Sequence, residues 1–450
     1  MLNRRSLVRM MTALVIGLTT VSGYEPGSVA AETRGNQSGK RKPNVILIMV
    51  DDLGAECIGC YGGKSYKTPR IDALAAAGLR FDNAFSQPVC APTRACVLSG
   101  RYPFRSEVAT NPSTYPFKVP WGRGKKPEIT FAKLMKEKGY ATGIAGKWQL
   151  CHLERNPEHL AECGFEKHRM WWRKKGAAHY LYWNPDSLED GVFHSRMEGV
   201  FGPDHECDYL IDFIRSNKDK PFLAYWPMTL VHTTLQVPPG SIEPRPPKSK
   251  EERKRRSRLL HTMNVEYMDK LVGRLTDAVD ELGLAENTLI IFTADNGTHR
   301  WIISLLDDRE IQGGKGSVFD KGTRVPFVVR WMGTVKPGRV LEDLVDLSDI
   351  LPTFAELAGA EVPQDRVIDG RSFARQLRGE AGDPRQWVYT QNAEKKLVRG
   401  KKWSLDQDNK LYDMTDRYSP KEVAPGEGGA AAEAARKQLK AAMDKIGGSI

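Results

Sequence analysis

No apolar run in the 450 residues reaches the roughly 18 that a retained membrane helix requires, so a soluble protein is expected. HExxH is absent, and Cys57-Ile58-Gly59-Cys60 has no second CxxC or spaced histidine pair with which to complete a zinc site. A local disulfide and two free thiols both fit that pair. Cysteine is scarce and odd in number at seven, so full pairing in an oxidising compartment would leave one thiol over and in need of a role. Internal repeats are absent. Acidic residues are outnumbered 56 to 67, for a net charge of +11, which favours a polyanionic partner. No nucleic-acid-binding module is recognisable, which makes sulfated polysaccharide the better candidate should the chain carry an export signal; a solubilising surface accounts for the excess equally well. The apolar fraction of 40% allows a sizeable core, but length alone does not choose between one large α/β domain and several smaller ones.

Export is expected from residues 1–31. Arg4 and Arg5 open a basic segment, Ala13 to Leu18 is apolar, and Val29-Ala30-Ala31 resembles a small-residue cleavage site. Asn3-Arg4-Arg5-Ser6-Leu7 resembles a twin-arginine signal, implying a periplasmic or secreted protein with no integral membrane segment once the signal is removed. Its removal takes away three arginines and one glutamate, leaving +9.

Asn44 to Val50 is continuously apolar after its first residue, as expected of a strand buried on both faces of a parallel sheet. Ala141 to Ala145, Phe222 to Trp226, Leu289 to Thr293 and Val325 to Trp331 have similar strand character. Helical patterns at Ile71 to Ala77, Ile129 to Lys138, Leu259 to Leu282 and Leu347 to Ala358 separate many of them. The alternation predicts a large, mostly parallel α/β sheet flanked by helices over residues 32–380. Beyond it, Trp387 to Thr390, Lys396 to Leu405 and Lys410 to Met414 read as short strands of a small antiparallel sheet. A helix near Ala430 to Ile446 completes an α+β subdomain over 381–450. The charged run Lys248 to Arg258 reads as a solvated helix or loop.

Ligands in such sheets bind beyond the carboxyl ends of the strands. Asp51-Asp52, Gly146-Lys147, His232 and Asp295-Asn296-Gly297 all fall just after predicted strands, which would gather acids, bases and an amide on one edge. Pro92 and Gly100 bracket a helix in Cys90-Ala91-Pro92-Thr93-Arg94, placing Cys90 at its start, where free N–H groups and the dipole attract anions. Asp51, Asp52, Asp295 and Asn296 offer only hard oxygen ligands, suited to calcium or magnesium.

Cys90-Ala91-Pro92-Thr93-Arg94, followed by a short apolar stretch and Gly100, resembles the first signature of the sulfatase family, within the alkaline phosphatase superfamily. Gly139 to Trp148 resembles the second, Asn44 to Gly54 the opening strand, and Thr293 to Gly297 the later metal-binding turn. Gly313-Gly314-Lys315-Gly316 with Gly322-Thr323-Arg324-Val325-Pro326, and Leu411-Tyr412-Asp413-Met414, also resemble family elements and occur in family order. The resemblance, to arylsulfatases and carbohydrate sulfatases, implies hydrolysis of a sulfate ester on a carbohydrate or aryl group. It further implies conversion of Cys90 to formylglycine by a separate maturation enzyme, and a calcium ion, less readily magnesium, on Asp51, Asp52, Asp295, Asn296 and the modified Cys90.

Arg94 is then expected to hold this group in place, Lys147 and Lys315 to bind the sulfuryl oxygens, Asp295 to act as base, and His232 to protonate the leaving alcohol, a role Lys315 can share. Two departures stand out: Thr234 where proline is frequent, and Gln149 where sulfatases carry a histidine. Gln149 can hydrogen-bond but not move a proton, so that task passes to another group such as His152. His299, Arg300 and Trp301 are placed to line the mouth. Arg169 to Lys175 with His179, Tyr180 and Trp183 mixes cations and rings, which suits either sulfated sugars or structural packing. A phosphoester or phosphonate hydrolase of the same superfamily, and a non-catalytic binder of sulfated glycans, are the alternatives.

Overall fold

The computed structural model describes residues 41–111, 121–123, 127–172 and 181–447. The export signal, Arg173 to Lys175, His179 and Tyr180 lie outside them. In chain order the strands are β1 (Asn44–Val50), β2 (Leu79–Phe85), β3 (Ala141–Lys147), β4 (Lys167–Trp172), β5 (Asp186–Glu189), β6 (Val192–His194), β7 (Phe222–Pro227) and β8 (Thr288–Ala294). They are followed by β9 (Ile303–Leu306), β10 (Arg309–Gln312), β11 (Val328–Arg330) and β12 (Arg339–Asp346). The last five are β13 (Val388–Asn392), β14 (Lys395–Arg399), β15 (Trp403–Asp406), β16 (Leu411–Asp413) and β17 (Lys421–Val423).

Ten of these form one mixed sheet in the order β12-β2-β11-β8-β1-β7-β3-β4-β5-β6. Its middle, β8-β1-β7-β3-β4, is wholly parallel. β1 explains itself: Val45, Leu47 and Met49 enter one core and Ile46, Ile48 and Val50 the other, so a strand with no polar side needs helices on both. Helices Cys90–Ser99, Phe131–Glu137 and Ile350–Ala358 cover the first face, and Pro69–Ala77, Gly202–Ser216 and Lys250–Glu281 the second. β9 and β10 form a separate hairpin, and β13 to β17 a five-stranded antiparallel sheet against which helix Gly429–Gly447 packs through Ala432, Leu439 and Ile446.

Several expectations shift. The stretch Lys396 to Leu405 is a hairpin of two strands turning at Gly400 to Lys402, not one strand. Val325 to Trp331 contracts to β11, antiparallel to both its neighbours. The charged run Lys248 to Arg258 keeps its expected character as a solvated helix and supplies the first turns of helix Lys250–Glu281, where Ser249 accepts from the Glu252 N–H. Arg169 to Trp172 belong to β4: Arg169 is buried beside Glu189 at 3.6 Å, and Trp183 is half-buried, donating to the Val237 carbonyl, so these groups are scaffold. Cys57 and Cys60 are free thiols. Among the described residues no helix is long and apolar enough to cross a membrane.

Candidate active site

Four adjacent parallel strands deliver the site. Asp51 and Asp52 follow β1, and Asp295 and Asn296 follow β8, in register because Val50 pairs with Ala294. The Asp295 N–H donates to the Val50 carbonyl at 2.9 Å, Leu53 to Asn296 at 3.1 Å, and the Asp52 N–H to Asp295 Oδ1 at 3.2 Å. On the other side of β1, Asp51 exchanges two backbone hydrogen bonds, each 2.8 Å, with Leu230 and Val231, which sets the turn bearing His232. Lys147 ends β3. Gly146 before it has φ +126°, and a Cβ there would lie 2.0 Å from the Pro227 carbonyl, so only glycine lets β3 approach β7 closely enough.

Cys90 is the first residue of helix Cys90–Ser99, whose ten residues are all buried and whose end is Gly100 at φ +67°. Its Sγ lies 3.5 Å from Asp51 Oδ1, 3.4 Å from Lys315 Nζ and 3.8 Å from Lys147 Nζ. Ligand atoms of Asp51, Asp52, Cys90 and Asp295 lie within 4.8 Å of one another, as do those of Asp51, Cys90 and His232. The wide sequence separations, 39 residues from Asp51 to Cys90 and 225 from Cys90 to Lys315, are thus closed by the fold.

Arg94, one turn into the helix, donates to Asp51 Oδ2 at 3.1 Å, Asp295 Oδ2 at 2.7 Å and the Lys147 carbonyl at 2.6 Å, tying three strand ends to the helix. Thr93 adds a 2.6 Å bond to the Asp295 carbonyl. Lys147 pairs with Asp51 Oδ2 at 2.5 Å, and Lys315 with Asp52. Burial alone would raise the Asp51 carboxyl, but Lys147, His232, Arg94 and Lys315 together hold it far below the usual range. Burial and the Asp51 charge push Asp295 up to about 6. Burial drives the Cys90 thiol well above its ordinary value, so an unmodified Cys90 stays protonated and is a poor nucleophile. Burial and then Lys147 lower His232 to about 4, leaving its imidazole neutral.

The donor set fits a hard divalent cation. Asn296 spends its amide N–H on Asp52 Oδ1 at 2.8 Å and the Gly297 carbonyl at 3.0 Å, while its Oδ1 and Asp52 Oδ2 are buried without a hydrogen-bond partner. Buried acceptor oxygens without donors are costly, and two together beside the carboxylates of Asp51 and Asp295 call for a cation. Three acids (Asp51, Asp52, Asp295) face three bases (Arg94, Lys147, Lys315), so a divalent ion makes the pocket net positive and ready for an anionic ester.

A family model described as Sulfatase matches residues 43–360, and one described as N-sulphoglucosamine sulphohydrolase, C-terminal, matches residues 314–445. The chain belongs to the sulfatase family. Steryl-sulfatase of Mus musculus is 34% identical over 76% of this sulfatase and 66% of its own length. Arylsulfatase A of Homo sapiens is 34% identical over 80% and 72%. The chain thus spans about two thirds of the length of the first of these relatives. Among solved structures, Ps i-CgsB matches with a TM-score of 0.75 and 25% identity, covering 90% of this sulfatase and 93% of that chain; its complex with k-i-k-neocarrahexaose gives 0.74.

The geometry brings together Cys90, Arg94, Lys147, Lys315, His232 and the four oxygen ligands. Gln149 follows at φ +64° with its Oε1 buried and unpartnered, while His152 is buried three residues on. His299 is half-buried, and its ring feels the charges of Asp52 and Lys315; Arg300 and Trp301 are exposed beside it. Three supports carried no motif. Tyr182 donates to the His232 carbonyl at 2.5 Å and the Thr229 carbonyl at 3.3 Å. Thr298 joins the Gly54 N–H to Glu56. Asn392, at the end of β13, donates to the Gly316 carbonyl at 2.9 Å. Threonine after Asp-Asn-Gly was the one signal available for Thr298; Tyr182 and Asn392 come from segments remote in sequence.

Proposed function

We propose that this sulfatase, a sulfuric ester hydrolase, releases sulfate from a sulfated carbohydrate, with Cys90 converted to formylglycine by a separate maturation enzyme and calcium held by Asp51, Asp52, Asp295 and Asn296. The observation that carries this reading is Cys90 Sγ within 3.8 Å of Asp51, Lys147 and Lys315 at the start of a fully buried helix. A thiol held protonated by burial has little use there, whereas an oxidised side chain beside two lysines and a carboxylate does.

When bound, calcium supplies a Lewis-acidic counter-charge for the sulfuryl oxygens, and hydrated formylglycine supplies the nucleophilic oxygen. Arg94 fixes Asp51 and Asp295 so that neither carboxylate turns away. Asp295, its Oδ1 steadied by the Asp52 N–H, takes the proton from the attacking hydroxyl. Lys147 and Lys315, donors on two sides of position 90, stabilise charge that grows on the sulfuryl oxygens. His232 stands within reach of the same centre; an anionic ester beside it favours the imidazolium, which then gives its proton to the leaving alcohol. Gln149, with Oε1 unpartnered, accepts a hydrogen bond from a hydroxyl but leaves proton transfer to others.

Carbohydrate is favoured over a simple aryl substrate by the positive net charge and by the likeness to Ps i-CgsB, solved with k-i-k-neocarrahexaose. Export through the twin-arginine route to the periplasm or beyond completes the reading, supported by Asn3 to Leu7 and the apolar stretch that follows. The test is hydrolysis of 4-nitrophenyl sulfate against 4-nitrophenyl phosphate, with mass spectrometry of the Cys90 peptide. Sulfate should be preferred and the peptide lighter than its cysteine form. A phosphate preference, or turnover by wholly unmodified protein, would refute it.

A further inference from the structure

All ten tryptophans are among the described residues, and only Trp301 is exposed, at 74%. An indole left in water keeps one of the largest burial gains available to any side chain in reserve, so an exposed ring at a site mouth is free to be covered by a ligand. Its position is fixed. Ile302 donates to the His299 carbonyl at 2.9 Å, making Arg300 and Trp301 the central residues of a tight turn. The His299 ring meets the indole edge-on, centroids 4.8 Å apart.

That turn lies directly on the Lys315 loop. Lys315 donates to the Thr298 carbonyl at 3.0 Å and Gly313 to Ile302 at 2.9 Å, while the Gln312 amide donates to the Arg300 carbonyl at 3.0 Å. A Cβ on Gly313 would sit 2.4 Å from the His299 carbonyl, so the two segments meet backbone to backbone. One on Gly316 would lie 3.9 Å from Arg300 Nη2 and 3.7 Å from Asn392 Nδ2, so guanidinium and amide share the rim next to Lys315. Arg300 has no acidic partner among the described residues, unlike Arg94 and Arg385. A ring and an unpaired, exposed guanidinium on one rigid turn form a surface for an anionic, flat-faced group.

We propose that Arg300 and Trp301 form a subsite next to the sulfate pocket that binds the neighbouring ring of a sulfated oligosaccharide, Trp301 stacking on the sugar face and Arg300 pairing with a sulfate or carboxylate on that ring. This rests on the sulfate-ester reading above, and it makes oligosaccharides bearing at least two anionic groups better substrates than isolated aryl sulfates.

The test uses the full mature enzyme, Trp301→Ala and Arg300→Gln. Its probes are 4-nitrophenyl sulfate and size-defined tetrasaccharides from carrageenan, chondroitin sulfate and heparin, offered as substrates and as competitors of 4-nitrophenyl sulfate. For the tetrasaccharide that wild type binds best, Trp301→Ala should raise KM or the inhibition constant about fivefold to tenfold. Arg300→Gln should raise it about tenfold and flatten its dependence on salt. Each loss should be at least fivefold larger than the loss on 4-nitrophenyl sulfate. Competition by no tetrasaccharide, equal losses on both probes, or a change of oligomeric state in Trp301→Ala without a change in that ratio would overturn the subsite. Failure of wild type to cleave 4-nitrophenyl sulfate, with Cys90 shown to be converted, would instead overturn the sulfatase reading beneath it.

Discussion

The buried arginine–carboxylate clusters around Arg385 and Arg94 differ in what they leave undone. Around Arg385 every acidic oxygen has a donor: Asp349 accepts from Arg385 and from the backbone of Asp346 and Arg371, and Arg385 also reaches Tyr102 and the Asp369 carbonyl. Around Arg94 the carboxylates are just as buried, yet Asp52 Oδ2, Asn296 Oδ1 and Gln149 Oε1 lack partners. The first cluster spends its charges on architecture. The second holds oxygens in reserve, and that shortfall, rather than burial or charge, separates these two clusters.

The contrast can be broken deliberately. The largest expected effect is Cys90→Ala, which should cut turnover of 4-nitrophenyl sulfate by about 10⁵-fold or more, to background, with an unchanged melting temperature. Arg385→Ala should do the reverse, costing about 3–5 kcal/mol in denaturant unfolding because it strands Asp349, while molecules that remain folded keep their kcat.

A third pair sharpens the boundary. Glu206, buried beside Arg169 and accepting from Trp226 and Thr229, is pushed up to about 7, first by burial, with Arg169 opposing. A carboxyl whose folded value lies above its unfolded one binds its proton more tightly when folded, so stability falls as pH rises from about 4.5 to 7. The loss is on the order of 3 kcal/mol at most, and Glu206→Gln should remove that slope in pH-dependent unfolding.

The smallest effect should be calcium itself, which at a hundredfold excess over its Kd adds about 2.7 kcal/mol of stability, lost with a chelator. Asp52→Asn should abolish this gain, and Arg385→Ala should retain it; a thermal shift in both, or in neither, would erase the distinction.

Much of this was legible beforehand because the parallel strands are buried on both faces. Asn44 to Val50 has no polar side to disguise it, and the residues just after such strands announced Asp51, Lys147 and Asp295. What escaped has physical reasons. β2 alternates Arg80 and Asp82 with buried partners, so its run is not apolar. Cations and rings at Arg169 to Trp172 suited sugars and structural packing alike, and only the fold decides for packing, with β4 burying Arg169 beside Glu189 and Glu206 and Trp172 meeting Phe193. Tyr182 holds His232 through a backbone carbonyl 50 residues away, a contact that no local pattern encodes.

The metal-side residues hang from β1 and β8, which are hydrogen-bonded along seven consecutive pairs. Their separation is therefore the lateral repeat of a sheet, roughly 4.8 Å, a ruler that no loop can stretch. The turn carrying Arg300 and Trp301 is fixed in its backbone, but the two side chains are exposed and belong to no strand of that sheet. Descendants of this chain could trade lips freely, acquiring new tastes while the throat beneath them keeps its bore.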